Sequence, residues 1–399
     1  MRRNSHVSGK AVGRLFVGTA LLVAPGLVSP AHAQQPPPSV SLSWGIDTTD
    51  ANVRDVVRLV RAYLAQPDSS ARSRGLWSTA TELDRRAGDL TMPMGTYQGF
   101  PATIVGINSN GPGDSVYTVK VLHGDADSTR LRINPLALQR LYAVREPGAQ
   151  FGFRLAGALP RLTSHWERRS RGGMTFWYAP GQQPNSDRVI RAERFVDSVA
   201  KLFGVPAPGH LDVYVTAAMD EAERALGLDF YVRMGSSRGG STLPFNIVLA
   251  GDPAVGEEYL HELVHAVLYS TFPSNNGLFG EGVATWLGGS QGRTPRQLYA
   301  HLRRYQEAHP RLTFADLLRG PPDEGARAWT DAHRATGALV VDTIYRRQGV
   351  PGLRSFALLK RDPDILLAAL PARLGLAPSD PAALDRWWRS EAERAAKTR

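Results

Sequence analysis

From Asp50 to Ala65 the apolar residues Val53, Val56, Val57, Val60 and Leu64 recur at helical spacing, which predicts an amphipathic helix. A second helix is expected over Leu76–Ala87. The period then shortens. Ala102–Ile107, Ser115–Leu122 and Thr129–Ile133 alternate like strands, separated by turn residues such as Gly111-Pro112-Gly113-Asp114. Two helices followed by strands make a small α+β unit over Ser43–Pro160. A second unit opens near Met174. There Met174–Tyr178, Leu211–Val215 and Phe245–Ala250 read as strands. Asp187–Phe203, with Val189, Ile190, Phe195, Val196 and Val199 inward, and Ala217–Leu226 read as helices. Another helix follows around Tyr259–Leu268. From Thr294 onward the pattern is helical, interrupted at Gly320-Pro321-Pro322 and Gly349-Val350-Pro351. The expected fold class is α+β, with domains at 43–160 and 174–396 and no internal repeat.

Composition narrows the chemistry. A chain of 399 residues, 42% of them apolar, can fill one large core or two ordinary ones. It contains no cysteine, which excludes disulfides, thiolate metal sites and a cysteine nucleophile. A metal site would need His, Asp and Glu. The N-terminus reads as a secretory signal over residues 1–33. Arg2, Arg3, Lys10 and Arg14 precede an apolar run from Leu15 to Val28, and Ala31-His32-Ala33 offers a small-x-small cleavage site. The run is broken by Pro25-Gly26 and is short for a membrane span. Residues 34–42, rich in Pro and Gln, read as a linker. The mature chain is therefore expected in the periplasm or outside the cell, without stable membrane insertion.

The formal net charge is +10; the signal holds four of those positive charges and no acid, so 10 − 4 leaves +6. The densest basic cluster, Arg168, Arg169 and Arg171, sits in no nucleic-acid-binding motif. An arginine-rich solvated surface explains it, and no nucleic-acid partner is expected.

The chemistry concentrates in Tyr259-Leu-His261-Glu262-Leu-Val-His265-Ala-Val-Leu268. Val255, Tyr259, Leu263, Val264, Val267 and Leu268 give this segment a helical period. His261 and His265 are then one turn apart on one face, able to bind a single metal ion. Glu262 lies about 100° round the helix, beside that ion, where it can act as a general base. An isolated H-E-x-x-H also occurs by chance, as surface or core histidines. Against that, the residues between and after the histidines are uncharged, and a third ligand is at hand. This is Glu281, within Leu278-Phe-Gly280-Glu281-Gly282-Val-Ala284, with a turn at Phe272–Gly277 that lets a second helix fold back. A glutamate in so apolar a stretch needs a partner, since burying it alone is costly. Two imidazoles, one carboxylate and an open fourth position form a catalytic zinc arrangement. A third histidine six residues past His265 is absent; that position is Thr271.

The pair H-E-L-V-H and G-E-G-x-A resembles the gluzincin clan of zinc metallopeptidases, related to thermolysin and aminopeptidase N, and most closely the bacterial peptidase-MA-like domains. The resemblance covers about Met174 to Leu374. It implies one zinc ion on His261, His265 and Glu281, with Glu262 as base, a peptide or protein substrate, and a mixed sheet followed by a mostly helical subdomain. It also implies that Phe245–Ala250 is the sheet-edge strand that binds extended substrate. A donor for the oxyanion is expected on a later helix. His333 occupies that stretch, with Asp331 or another acid to keep it protonated, and Tyr345 is the second candidate. The aromatic that usually follows E-G-x-A is displaced to Trp286, and the glycine-x-methionine-glutamate-asparagine signature of aminopeptidases is missing, so endo- and exopeptidase activity both stay open. The N-terminal unit looks a little like a cystatin or nuclear-transport-factor roll. Two competing readings are a catalytically silent envelope binding protein on the same fold, and a polyanion binder resting on charge alone.

Overall fold

The computed structural model describes residues 40–397, apart from 66–74, 92–99, 111, 127–132, 233, 235–237, 273–275, 321–326, 378–379 and 381. The expected signal and most of the linker lie outside these residues. The linker's last three residues form a strand, β1 (Val40–Leu42), parallel to β2 (Ala102–Ser109). Between them α1 (Ala51–Leu64) starts where Asp50 accepts hydrogen bonds from the Asn52 and Val53 amides. Its apolar stripe packs on Ile104, Val119, Val121 and Leu155 of the sheet. The next helix, α2 (Glu82–Ala87), is shorter than the spacing predicts. Leu76 and Ser78 are instead hydrogen-bonded to Leu155, and Trp77 lies edge-on against Tyr63 in the core. Pairing with a distant strand outweighs the local helical pattern there.

The first sheet continues through β3 (Val116–Ala126), β4 (Ile133–Arg145) and β5 (Phe153–Ala156), each antiparallel to the one before. The alternation expected over Thr129–Ile133 falls mostly outside the described residues, and the strand itself runs on from Ile133. A short helix, α3 (Ala158–Leu162), leads to the second sheet. This comprises β6 (Glu167–Arg171), β7 (Met174–Tyr178), α4 (Ser186–Phe203), β8 (Leu211–Val215) and α5 (Met219–Leu226). The chain then returns to the first sheet. Strand β9 (Leu228–Tyr231) pairs antiparallel with β4 before β10 (Gly239–Leu243) and β11 (Ile247–Gly251) complete the second sheet. The second sheet has the order β10-β11-β8-β7-β6, parallel at its centre and antiparallel at both edges.

The fold is thus mixed α/β with two mixed sheets. One expectation needs correction. Phe245–Ala250 is not a sheet edge: β11 is interior, flanked by β8 and β10. Phe245 and Asn246 form the turn between β10 and β11, with φ of 67° and 59°. The edge strand is β10, whose Gly-Gly-Ser-Thr composition carries little strand signal.

Seven helices follow: α6 (Leu260–Leu268), α7 (Gly277–Gly288), α8 (Pro295–Ala308), α9 (Phe314–Arg319), α10 (Arg327–Ala357, broken at Gly349), α11 (Pro363–Leu374) and α12 (Ala383–Lys397). They share one apolar core with α4 and the near face of the second sheet. Among the described residues no helix is long and apolar enough to cross a membrane.

Candidate metal centre

Helix α6 lies in the core and carries both motif histidines one turn apart, their ring centroids 4.9 Å from each other. Helix α7 begins at Asn276, whose side chain accepts from the Phe279 amide at 2.7 Å and donates to the Phe356 carbonyl at 2.9 Å. Helices α6 and α7 approach closely because Gly288 has no side chain. A Cβ there would stand 2.6 Å from the His261 backbone nitrogen. The same approach puts the Gly289 carbonyl 2.7 Å from His261 Nδ1. A carbonyl only accepts, so Nδ1 carries the proton and Nε2 a lone pair.

That lone pair faces the interior without a hydrogen-bond partner among the described residues. Across from it, Glu281 Oε2 lies 3.4 Å away, and Glu281 Oε1 lies 3.2 Å from His265 Nε2. The three ligand atoms lie within 4.8 Å of one another, the only such group of His, Asp and Glu among the described residues. Two buried acceptors facing each other repel unless a cation stands between them. His261, His265 and Glu281 can therefore hold a metal ion, as their spacing suggests.

The neighbour that spacing does not reveal is Arg334. It is 3% exposed; its Nε donates to Glu281 Oε2 at 2.6 Å and its guanidinium also donates to Ser290 Oγ at 3.1 Å. Gly282 and Gly337 bring α7 and α10 together there: a Cβ on Gly282 would stand 2.6 Å from the Gly337 carbonyl oxygen. Burial works against a charge on Glu281, but Arg334 and the two imidazoles more than offset it and hold the carboxyl well below its usual range. A signal for Arg334 exists in the chain. It is the one ionic residue in the run Ala332–Val341 whose side chain must sit among buried neighbours.

Glu262 is buried on the same helix. The Thr242 hydroxyl of β10 lies 2.9 Å from its Oε2 and 2.8 Å from its backbone carbonyl, so the edge strand fixes the carboxylate. Gly240 makes room for this, since a Cβ there would stand 2.8 Å from Glu262 Cγ and 2.7 Å from the Tyr259 ring. His333 is partly exposed and stacks on Trp329 with centroids 5.1 Å apart. Desolvation pushes its imidazole down to about 4, against the pull of Glu281. Asp331 does not protonate it: that carboxylate is taken by Arg293 at 2.5 Å. Tyr345 packs on Trp286. Glu257 and Glu258 sit on a separate helical turn before α6, not on the motif helix. Glu257 accepts from Tyr178 and the Asn185 amide, and Glu258 pairs with Arg191, so both tie α4 to the turn.

In sequence comparisons the chain matches no family model and no curated protein. A functional reading therefore rests on the geometry and on the motif itself.

Proposed function

We propose that this chain is an exported zinc-dependent peptidase of gluzincin type. One observation carries the reading. A buried imidazole nitrogen with a free lone pair, a second imidazole and a carboxylate converge on one point, with Glu262 held by a sheet edge beside them. The His₂Glu donor set suits zinc and leaves coordination positions open. When bound there, zinc supplies Lewis acidity and makes water acidic enough to attack a peptide bond near neutral pH.

The chain's own residues supply the rest. An extended peptide can add to the free edge of β10, using backbone hydrogen bonds. Glu262, oriented by Thr242, takes the proton of the attacking water and passes it to the leaving amine. His333 donates a ring N–H to the oxyanion that develops on the carbonyl. Such donation needs no charge on the ring, in keeping with its lowered pKa.

The test is metal analysis of the purified chain together with digestion of a peptide library. One zinc per chain is expected. His261→Ala and His265→Ala should lose it. Glu262→Gln should keep the metal while hydrolysis falls by about 10²–10⁴-fold. Stoichiometric zinc in a wild type that cleaves nothing would favour the silent binding protein; a chain that cannot be loaded with metal would end the peptidase reading.

A further inference from the structure

The second sheet carries a cavity on the face turned away from the metal centre. Along β7, Met174, Phe176 and Tyr178 enter the helical core, so Thr175 and Trp177 point the other way; Asp212 and Tyr214 do the same on β8. Leu83 and Pro160 of the N-terminal unit, and Thr163 and Ser164 just after α3, also line it. The cavity holds about 520 Å³. That lies within the span of small-molecule sites, about 300–1,000 Å³.

Three of its lining side chains are aromatic, and it holds one guanidinium, Arg168, and one carboxylate, Asp212. Trp177 and Tyr214 lie parallel within 7°, their centroids 5.8 Å apart, and Trp166 meets Tyr214 edge-on. The Arg168 guanidinium lies over Trp177, 5.6 Å from the ring centroid, and has no carboxylate partner among the described residues. Asp212 is already engaged. Its Oδ1 accepts from Trp177 Nε1 at 3.0 Å, and its Oδ2 is 2.8 Å from His210 Nε2. Arg168 already holds the cation position on Trp177, and the Asp212 oxygens already accept hydrogen bonds, so Arg168 is the charged group left to meet a ligand.

We infer that this cavity binds an aromatic carboxylate, its ring against the partly exposed Trp166 and Trp177 and its anion on Arg168. The same chemistry comes from a free aromatic acid or from the C-terminal aromatic residue of a peptide. Titration calorimetry on the full mature chain separates these sources. The probes are indole-3-acetate, uncharged indole-3-acetamide, and the peptide Gly-Gly-Trp with a free carboxylate.

Indole-3-acetate should saturate with a dissociation constant below about 1 mM. The amide should bind about tenfold more weakly or worse, and Arg168→Gln should weaken the acid to a similar extent. Thr175→Trp, which places an indole in the cavity, should abolish binding with metal content unchanged. Should that variant not fold, the exposed Arg168→Gln decides. Gly-Gly-Trp binding as tightly as the free acid supports the site with peptide ends as the source; binding of the free acid alone supports it with small acids. Absence of saturation, equal affinity for acid and amide, or an unaltered Arg168→Gln overturns the inference. None of these substitutions touches the metal centre, so the result is independent of the peptidase reading.

Discussion

Glu281 is the residue on which three cations can draw: a metal ion, Arg334 and a protonated His265. Removing Arg334 leaves a buried carboxylate without its strongest neighbour. Breaking a buried pair of this kind costs about 3–5 kcal/mol. A metal ion on Glu281 would replace part of the missing charge. Arg334→Gln should therefore lower the melting temperature of the metal-free chain more than that of the zinc-loaded chain. Equal losses with and without zinc would mean that Arg334 does not act through Glu281. His333 poses a different question. With its pKa pushed down to about 4, the ring is neutral through the working pH range. His333→Ala should keep its zinc and lose about 10²–10³ in kcat. The ratio of wild-type to variant kcat should stay flat from pH 5.5 to 8. A ratio that climbs between pH 6 and 7 would show His333 titrating there, contrary to this geometry.

Among the elements, α5 carries a liability of its own. Glu223 is 8% exposed, its Oε2 lacks a partner among the described residues, and its carboxyl is raised to about 7 by burial first and by Asp220 second, against the pull of Arg224. A raised acid makes the folded state bind its proton more tightly than the unfolded chain, whose value is near 4.5. Stability should then fall as pH rises from about 4.5 to about 7, by at most roughly 3 kcal/mol. Glu223→Gln should flatten that slope in urea unfolding and be the more stable protein at pH 8. An unchanged slope would place the charge in water.

Elements were readable in the chain where the signal is local. Helix α1 has both its stripe and its Asp50 cap, and β7 and β8 fall on their expected bounds. His261 and His265 were readable because a helix converts sequence spacing into a shared face, and Glu281 because a carboxylate in an apolar stretch needs a partner. Thr242 was not, and Arg334 showed only as a charge in an apolar run, since each reaches the site through a contact between distant segments. The same holds for β10, whose Gly239-Gly240 is demanded by close packing on Met219, Tyr259 and Glu262 rather than by strand preference.

On the scale of the whole molecule, the domain division suggested by pattern, 43–160 and 174–396, is bridged by strand β9. That strand belongs by sequence to the second unit, yet Leu228, Phe230 and Tyr231 pair with Gln139, Leu138 and Ala137 of β4. Asp229 adds ion pairs to Arg140 and, at 3.3 Å, to Lys120. Leu90, Ala137 and Leu159 of the first unit share a buried cluster with Tyr214, Leu226, Ile247 and Leu249 of the second. Two of those residues, Ile247 and Leu249, lie on β11, the neighbour of the edge strand that holds Glu262. Pulling the units apart would expose this apolar cluster and strip β9 of its partner, so the sheets should unfold together. Calorimetry of the full mature chain is expected to show one transition with equal calorimetric and van't Hoff enthalpies. A fragment spanning 174–397 should be poorly soluble and bind zinc less tightly than the full chain, because β10 and β11 lose the support behind them. Two separate transitions, together with a soluble fragment of full zinc affinity, would show instead that the N-terminal unit is a passenger on an independent catalytic domain.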